Sequence, residues 1–334
     1  MLCKHIEFRP GGTASRCRED VSKAGANAAA GMLPHSLMKG GARMHSYFRA
    51  VGFSGIRGKR EMDRLIREVV TSCDEKIVVD EGDNRLFAEL SRDFGYDTGI
   101  TVCGAYDEND EFQAEYCFPF FRGTGITSGE DVVVERHAEK ESFAGACDDV
   151  RIGVTLIFYL QNAGEYLDAK YKGALDGSRT TLTLSGLSVE GKVLLPVQKD
   201  LKQAEKEQQS VKKRCQLIHE ARQGNEEAME SLTMEDMDTY SMISRRISKE
   251  DVFSIVESYF MPYGMECDRY NVLGEILEVT EARNTWTGEM LYQLTILCND
   301  MQFDVCINQK DLMGVPQEGR RFKGIIWLQG AINF

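Results

Sequence analysis

Positive charge is scarce in this chain: 40 Lys and Arg stand against 53 Asp and Glu over 334 residues, a net charge of -13 at pH 7. That balance repels phosphate backbones and supplies no field to hold nucleic acid, so general nucleic-acid binding is not expected. Long apolar runs are missing as well. The longest, Leu156 to Leu160, falls far short of the ~20 residues of a membrane helix, so no membrane span is expected. Paired cysteines are also absent: the ten cysteines are scattered, with no Cys-x-x-Cys or Cys-x4-Cys pair to hold a metal. Several, such as Cys103, Cys117 and Cys298, sit inside apolar runs, where a free thiol behaves as a small hydrophobe. Reduced thiols of that kind point to a cytoplasmic protein. No Gly-x-Ser-x-Gly elbow occurs. The glycine loop Arg122 to Gly129 leads into the strand-like Asp131 to Val134 rather than a helix, so it reads as a strand connection and not a phosphate loop.

What is present is apolar residue enough, 42%, to build cores, and a length that suggests about two domains. The first 43 residues differ from the rest: seven basic and three acidic side chains give them +4, leaving -17 for the remainder. They lack any periodicity and are expected to be a disordered leader. Lys39-Gly40-Gly41 is encodable as a purine-rich ribosome-binding site just ahead of Met44. Met44 is therefore the expected start and residues 1–43 translated upstream sequence, which intact mass or N-terminal peptides of the native protein test.

Residues 44–197 read as an α+β domain. After a first strand expected at His45 to Val51, Met62, Leu65, Ile66, Val69 and Val70 repeat at helical spacing. Two antiparallel hairpins follow, Lys76–Val79 with Leu86–Leu90 and Gly99–Tyr106 with Glu111–Phe118, the second ended by Pro119. Ile152 to Leu160 suggests a central strand, and Thr180–Leu184 with Lys192–Val197 a closing hairpin.

Residues 198–264 read as a helical connector: a charged helix from Lys199 to Arg222, then capping boxes at Thr233–Asp236 and Ser248–Asp251. The second box introduces a stripe of Val252, Ile255, Val256, Tyr259 and Phe260, stopped by Pro262. Residues 265–334 alternate in strands, Tyr292–Cys298, Phe303–Asn308 and Lys323–Gln329, and are expected to form a small β-barrel of oligonucleotide-binding-fold type.

The densest polar chemistry is Glu135-Arg136-His137-Ala138-Glu139, with Asp148-Asp149 downstream. A histidine among carboxylates can serve as general base or metal ligand, so a candidate catalytic set is His137, Glu135, Glu139, Asp148 and Asp149, in metal-assisted hydrolysis. The competing reading is a solvated charged face. In the barrel, Arg320, Arg321 and Lys323 with Trp286, Tyr292 or Trp327 are candidate binding residues for single-stranded nucleic acid, which requires the aromatics exposed on one face. No cofactor signature is readable.

The stretch Asp238 to Gly264, together with Arg136 to Ser142, Asp148-Asp149, Leu156 to Asn162 and Gly319 to Gly330, resembles an uncharacterised family of clostridial-type bacterial proteins, over about residues 44–334. The resemblance implies a bacterial host, hence no transit peptide, and it brings a domain of unknown function with no functional residues. The function expected first is a non-enzymatic cytoplasmic binding or adaptor protein whose partner is a protein or a small molecule.

Overall fold

The computed structural model describes residues 46–81, 85–107, 109–136, 142–173, 175, 180–197, 213–214, 216–221, 223–247, 252–265 and 267–334. The leader and Met44 lie outside them. The apolar stripe beginning at Met62 forms helix α1, Lys59–Thr71, with Met62, Leu65, Ile66 and Val69 buried. It packs on a four-stranded antiparallel sheet, β1 (Glu75–Asp80), β2 (Leu86–Gly95), β3 (Thr98–Tyr106) and β4 (Phe112–Phe121), in that spatial order. Pro119 does not end the second hairpin: it pairs with Ile100 and β4 runs on to Phe121. Because β4 is an edge strand, the missing N–H of proline leaves no ladder bond unmade.

A second sheet begins with the antiparallel strands β5 (Val132–Arg136), β6 (Phe143–Cys147) and β7 (Leu156–Leu160). Helix α2 (Ala163–Tyr171) and the long strand β8 (Thr181–Leu194) follow. The expected closing hairpin is thus one continuous strand. Its glycines mark close approach rather than a turn: a Cβ on Gly191 would lie 2.6 Å from the Phe322 ring and 2.9 Å from Ile307.

Helices α3 (Glu226–Ile247) and α4 (Val252–Ile255) precede the remaining strands, β9 (Tyr259–Pro262), β10 (Arg269–Arg283), β11 (Met290–Cys298), β12 (Met301–Asn308), β13 (Leu312–Met313) and β14 (Arg321–Asn333). Three expectations change here. Thr233 lies inside α3, its hydroxyl donating to the Met229 carbonyl, so it is no N-cap. The second stripe splits into the short α4 and strand β9, which pairs with β10; its capping box lies outside the described residues. Ser46–Val51 is a 3-10 helix, not a strand. Of the connecting helix, residues 199–212 lie outside the described residues and residues 216–221 are helical.

The C-terminal barrel closes with five strands. β10, β11 and β12 form an antiparallel meander, β14 returns beside β10, and β8 fills the gap, parallel to β12 and antiparallel to β14. The fifth stave therefore comes from upstream of residue 198 and precedes the other four in the chain. Beyond its pairing with β10, β14 at Gln329 and Gly330 stays beside β8 and also pairs with β7 on its other edge, which fuses barrel and second sheet into one.

Both faces of β12 are buried, because the outside of the barrel is covered by the N-terminal part of the chain. Cys306 donates to the Ala50 carbonyl and Asn308 to that of Arg49, while Gln293 donates to the Tyr96 carbonyl. Asp304 accepts from both the amide and the hydroxyl of Thr124, at 2.6 and 2.8 Å, which explains the glycine loop as a clamp onto the barrel. A single apolar core runs through the sheet, the Ser46–Val51 segment and the barrel.

Candidate functional site

Where the four-stranded sheet meets α2 and the end of β14, a cleft of about 570 Å³ opens, lined among others by Glu75, Glu89, Ser91, Phe120, Arg122 and Glu165. Its walls are fixed by amide side chains. Gln161 donates to the Phe121 carbonyl and to the Gln329 side chain, Gln329 donates to the Pro119 carbonyl, and Asn162 both donates to and accepts from the backbone of Ile332. These bonds tie β4, the start of α2 and β14 together, so the cavity is largely preformed, as ligand sites usually are.

Glu89 is buried at this cleft, 3% exposed, on the face of β2 that looks away from α1. In register beside it stand Ile77 of β1 and Cys103 of β3, and Tyr116 of β4 stands beside Cys103. One carboxylate oxygen accepts from the Gly164 amide in the first turn of α2 at 2.8 Å. The other has no hydrogen-bond partner. Burial pushes the carboxyl up to about 8; the Gly164 bond pulls against it, and the charges of Glu165 and Glu75 push it further. A buried carboxyl that titrates near neutrality at a cleft is the kind of group functional sites contain.

Close approach of α2 depends on glycine. A Cβ at position 164 would sit 2.8 Å from the Glu89 oxygen and 2.8 Å from Ile77. At the rim Arg122 is held by Asp93 at 2.6 Å, lies 3.8 Å from Glu75, and stacks over Phe120 at 4.3 Å. The Ser91 and Thr101 hydroxyls bond each other at 2.8 Å. Cys103, next to Glu89, is driven well above the usual thiol range by burial, then by the Glu89 charge, and stays a neutral thiol.

The sequence-derived catalytic set is only partly visible. His137 and Glu139 lie outside the described residues. Glu135 pairs with Ala144, whereas Asp148 and Asp149 follow Cys147, which pairs with Val132. Three strand positions, ~10 Å, therefore separate Glu135 from the strand end that carries the aspartates. Asp148 accepts from Thr155. Asp149, 1% exposed, receives Arg151 through two guanidinium nitrogens and Ser128 through its hydroxyl. Burial alone would raise the Asp149 carboxyl, but these bonds outweigh it and hold the group below its usual range. Arg151 in turn reaches the carbonyls of Thr127 and Asp300, so the pair is a strut between loops. Among the described residues no three His, Cys, Asp or Glu groups are placed to hold a metal ion.

The barrel candidates are also engaged. Arg321, 7% exposed, donates to the carbonyls of Leu195, Val256 and Phe253. Arg320 donates to the Val315 carbonyl and Lys323 stacks over Phe253. Trp327 is 2% exposed and packs against Tyr47 and Tyr159, so the stacking platform that single-stranded binding requires is missing its central ring. Trp286, 37% exposed, lies edge-on to Phe94 with Arg64 over its ring, pinning the β10–β11 loop to the N-terminal sheet. In oligonucleotide-binding barrels the face of the second and third strands takes the ligand. Here the corresponding strands, β11 and β12, are the ones the protein covers with its own residues.

Glu89 was not singled out from sequence. The available signal was a lone acid inside Leu86-Phe87-Ala88-Glu89-Leu90, where every neighbour on the strand is apolar. A family model described as "Domain of unknown function, E. rectale Gene description (DUF3881)" matches residues 48–330. Neither the curated proteins nor the solved structures gave a match.

Proposed function

The chain belongs to this family of unknown function, and from its own geometry we propose that it is a non-enzymatic binding protein whose ligand is a small polar molecule held in the Glu89 cleft. One observation carries the reading: a preformed cavity of about 570 Å³ has at its wall a buried carboxyl with one oxygen tied down and the other unpartnered. The hydroxyls nearest it, Ser91 and Thr101, are bonded to each other rather than to a base, which suits recognition better than nucleophilic attack.

The buried free thiols of Cys103, Cys147, Cys298 and Cys306 support a reducing, cytoplasmic setting. Among the described residues no helix is long and apolar enough to cross a membrane. A thermal-shift screen of a metabolite library tests the binding reading, with Ser91→Phe as the blocked control. Hits that stabilise the wild type and not the folded variant are expected; hits that stabilise both equally would place binding elsewhere and overturn it.

A further inference from the structure

We propose that α2 is a proton-operated lid, hinged at Asn162 and Gly173, which lies closed over Glu89 while that carboxyl is neutral and swings off β1 and β2 when the carboxyl loses its proton to solvent. This assignment does not rest on the binding reading above. The closed state seals the carboxyl: its unpartnered oxygen is buried away from water, and the Gly164 amide closes over the other oxygen at 2.8 Å. A Cβ at position 164 would meet that oxygen and Ile77 at 2.8 Å each, so no water fits there either. A neutral carboxyl tolerates such a site, whereas a carboxylate needs solvent or several donors. Loss of the proton therefore sets the ion against the element that keeps water out.

Of the elements packed on Glu89, α2 is the one built to give way. β2 is bonded along both edges, to β1 and to β3, whereas α2 has 9 residues, of which Ala163, Gly164 and Leu167 are buried. Its two ends have hinge geometry. Asn162 is non-helical, with φ -111° and ψ 52°, and two bonds with the Ile332 backbone fix it to β14, so it holds its place as the helix turns about it. Gly173, at φ 68°, supplies at the far end a left-handed turn that glycine makes at least cost. Hinges are commonly a few such residues at the ends of an element. Because Glu165 lines the cleft, the same movement widens it.

The charged and titratable groups around Glu89 set the direction. Burial pushes the carboxyl up to about 8; the Gly164 bond pulls against this, and the charges of Glu165 on α2 and Glu75 on β1 push it further. Opening carries Glu165 away from Glu89, so it relieves the burial and one of the two repulsions together. On the other strands the facing groups are neutral: burial keeps the Cys103 thiol of β3 and the phenols of Tyr116 on β4 and Tyr159 on β7 protonated. The nearby cations are engaged elsewhere, Arg122 with Asp93, Lys172 with Asp168, and Lys170 over the Tyr166 ring. A carboxyl at about 8 when closed, which returns toward the ordinary 4.5 when open, makes opening easier as pH rises between the two and no easier beyond.

Native-state hydrogen exchange of the full chain from about pH 5 to about pH 9, corrected for the intrinsic amide rates, tests this. Protection of the amides from Gly164 to Tyr171 is expected to fall by up to about tenfold per pH unit as far as about pH 8 and to level off above it, with almost no dependence on added denaturant. The barrel strands β11 and β12 are expected to keep a higher protection that denaturant lowers steeply. Glu89→Gln keeps an acceptor for the Gly164 amide and is expected to hold the α2 protection constant across the range. Protection of α2 that stays flat with pH in the wild type would mean that the carboxyl ionises in place, and protection equal to that of the barrel in size and denaturant slope would mean that α2 leaves only with the whole fold; either overturns the lid, and both are read without the variant. The same pH dependence in Glu89→Gln assigns the opening to another group and overturns it as well.

Discussion

Glu89 holds its proton far above the usual carboxyl range, and that has a thermodynamic consequence independent of any ligand. Its folded-state value, about 8, lies above the reference value of 4.5. Between the two the native protein carries a proton that the unfolded chain has lost, so stability falls as pH rises through that window. The shift corresponds to on the order of 5 kcal/mol between the protonation states. Glu89→Gln is expected to flatten the decline: wild type and variant unfold alike in denaturant at about pH 5, and the variant is the more stable by several kcal/mol at about pH 9. Parallel curves across that range would show that Glu89 ionises freely. Asp149 and Glu289 are held below their usual range, against burial, by bonds from Arg151 and Ser128 and from Lys310, Ser54 and Asn308. Their stabilising contribution has the opposite sign, full above the ordinary carboxyl range and lost as acid protonates them.

At the scale of elements, α2 is positioned by what its first turn lacks. Gly164→Ala would drive a methyl against Glu89 and Ile77, and the helix must lift to accept it. A loss of about 1–3 kcal/mol is expected by chemical denaturation, with reduced hydrogen-exchange protection at the Gly164 amide. Elements with a clean local pattern were legible in the sequence: the α1 stripe, the two hairpins and the strands β11, β12 and β14 all stand where alternation puts them. β8 was not, because Leu187-Ser188-Val189-Glu190-Gly191 reads as turn chemistry. Gly191, with Gly186 before it, in fact makes room for Phe322, Ile307 and Ile326, partners more than a hundred residues away that no local window contains. β9 was missed for a related reason. Tyr259 and Phe260 fit a helical stripe, and only pairing with Leu273 and Val272 makes them strand. The cleft was hidden more deeply still, since an acid within a strand ordinarily faces water, and here α2 covers that face.

For the molecule as a whole, the order of strands in the chain differs from their order around the barrel. A fragment of residues 259–334 lacks β8 and is expected to show no cooperative unfolding. Joining residues 180–197 after residue 334 through a two-residue turn should restore one, because Asn333 and Thr181 already face each other across the β14–β8 pair. Circular dichroism melts of the two fragments decide it, and a cooperative melt for the shorter one would mean that four strands suffice. The same arrangement bears on how the protein is made. β8 emerges from the ribosome early, yet its two neighbours, β12 and β14, are among the last strands to follow. At ordinary synthesis speeds the wait is on the order of ten seconds. Throughout it an apolar strand carrying Leu182, Leu184 and Leu187 has neither flanking partner, a long interval in which a chaperone or a neighbouring nascent chain competes for the place that β14 finally takes.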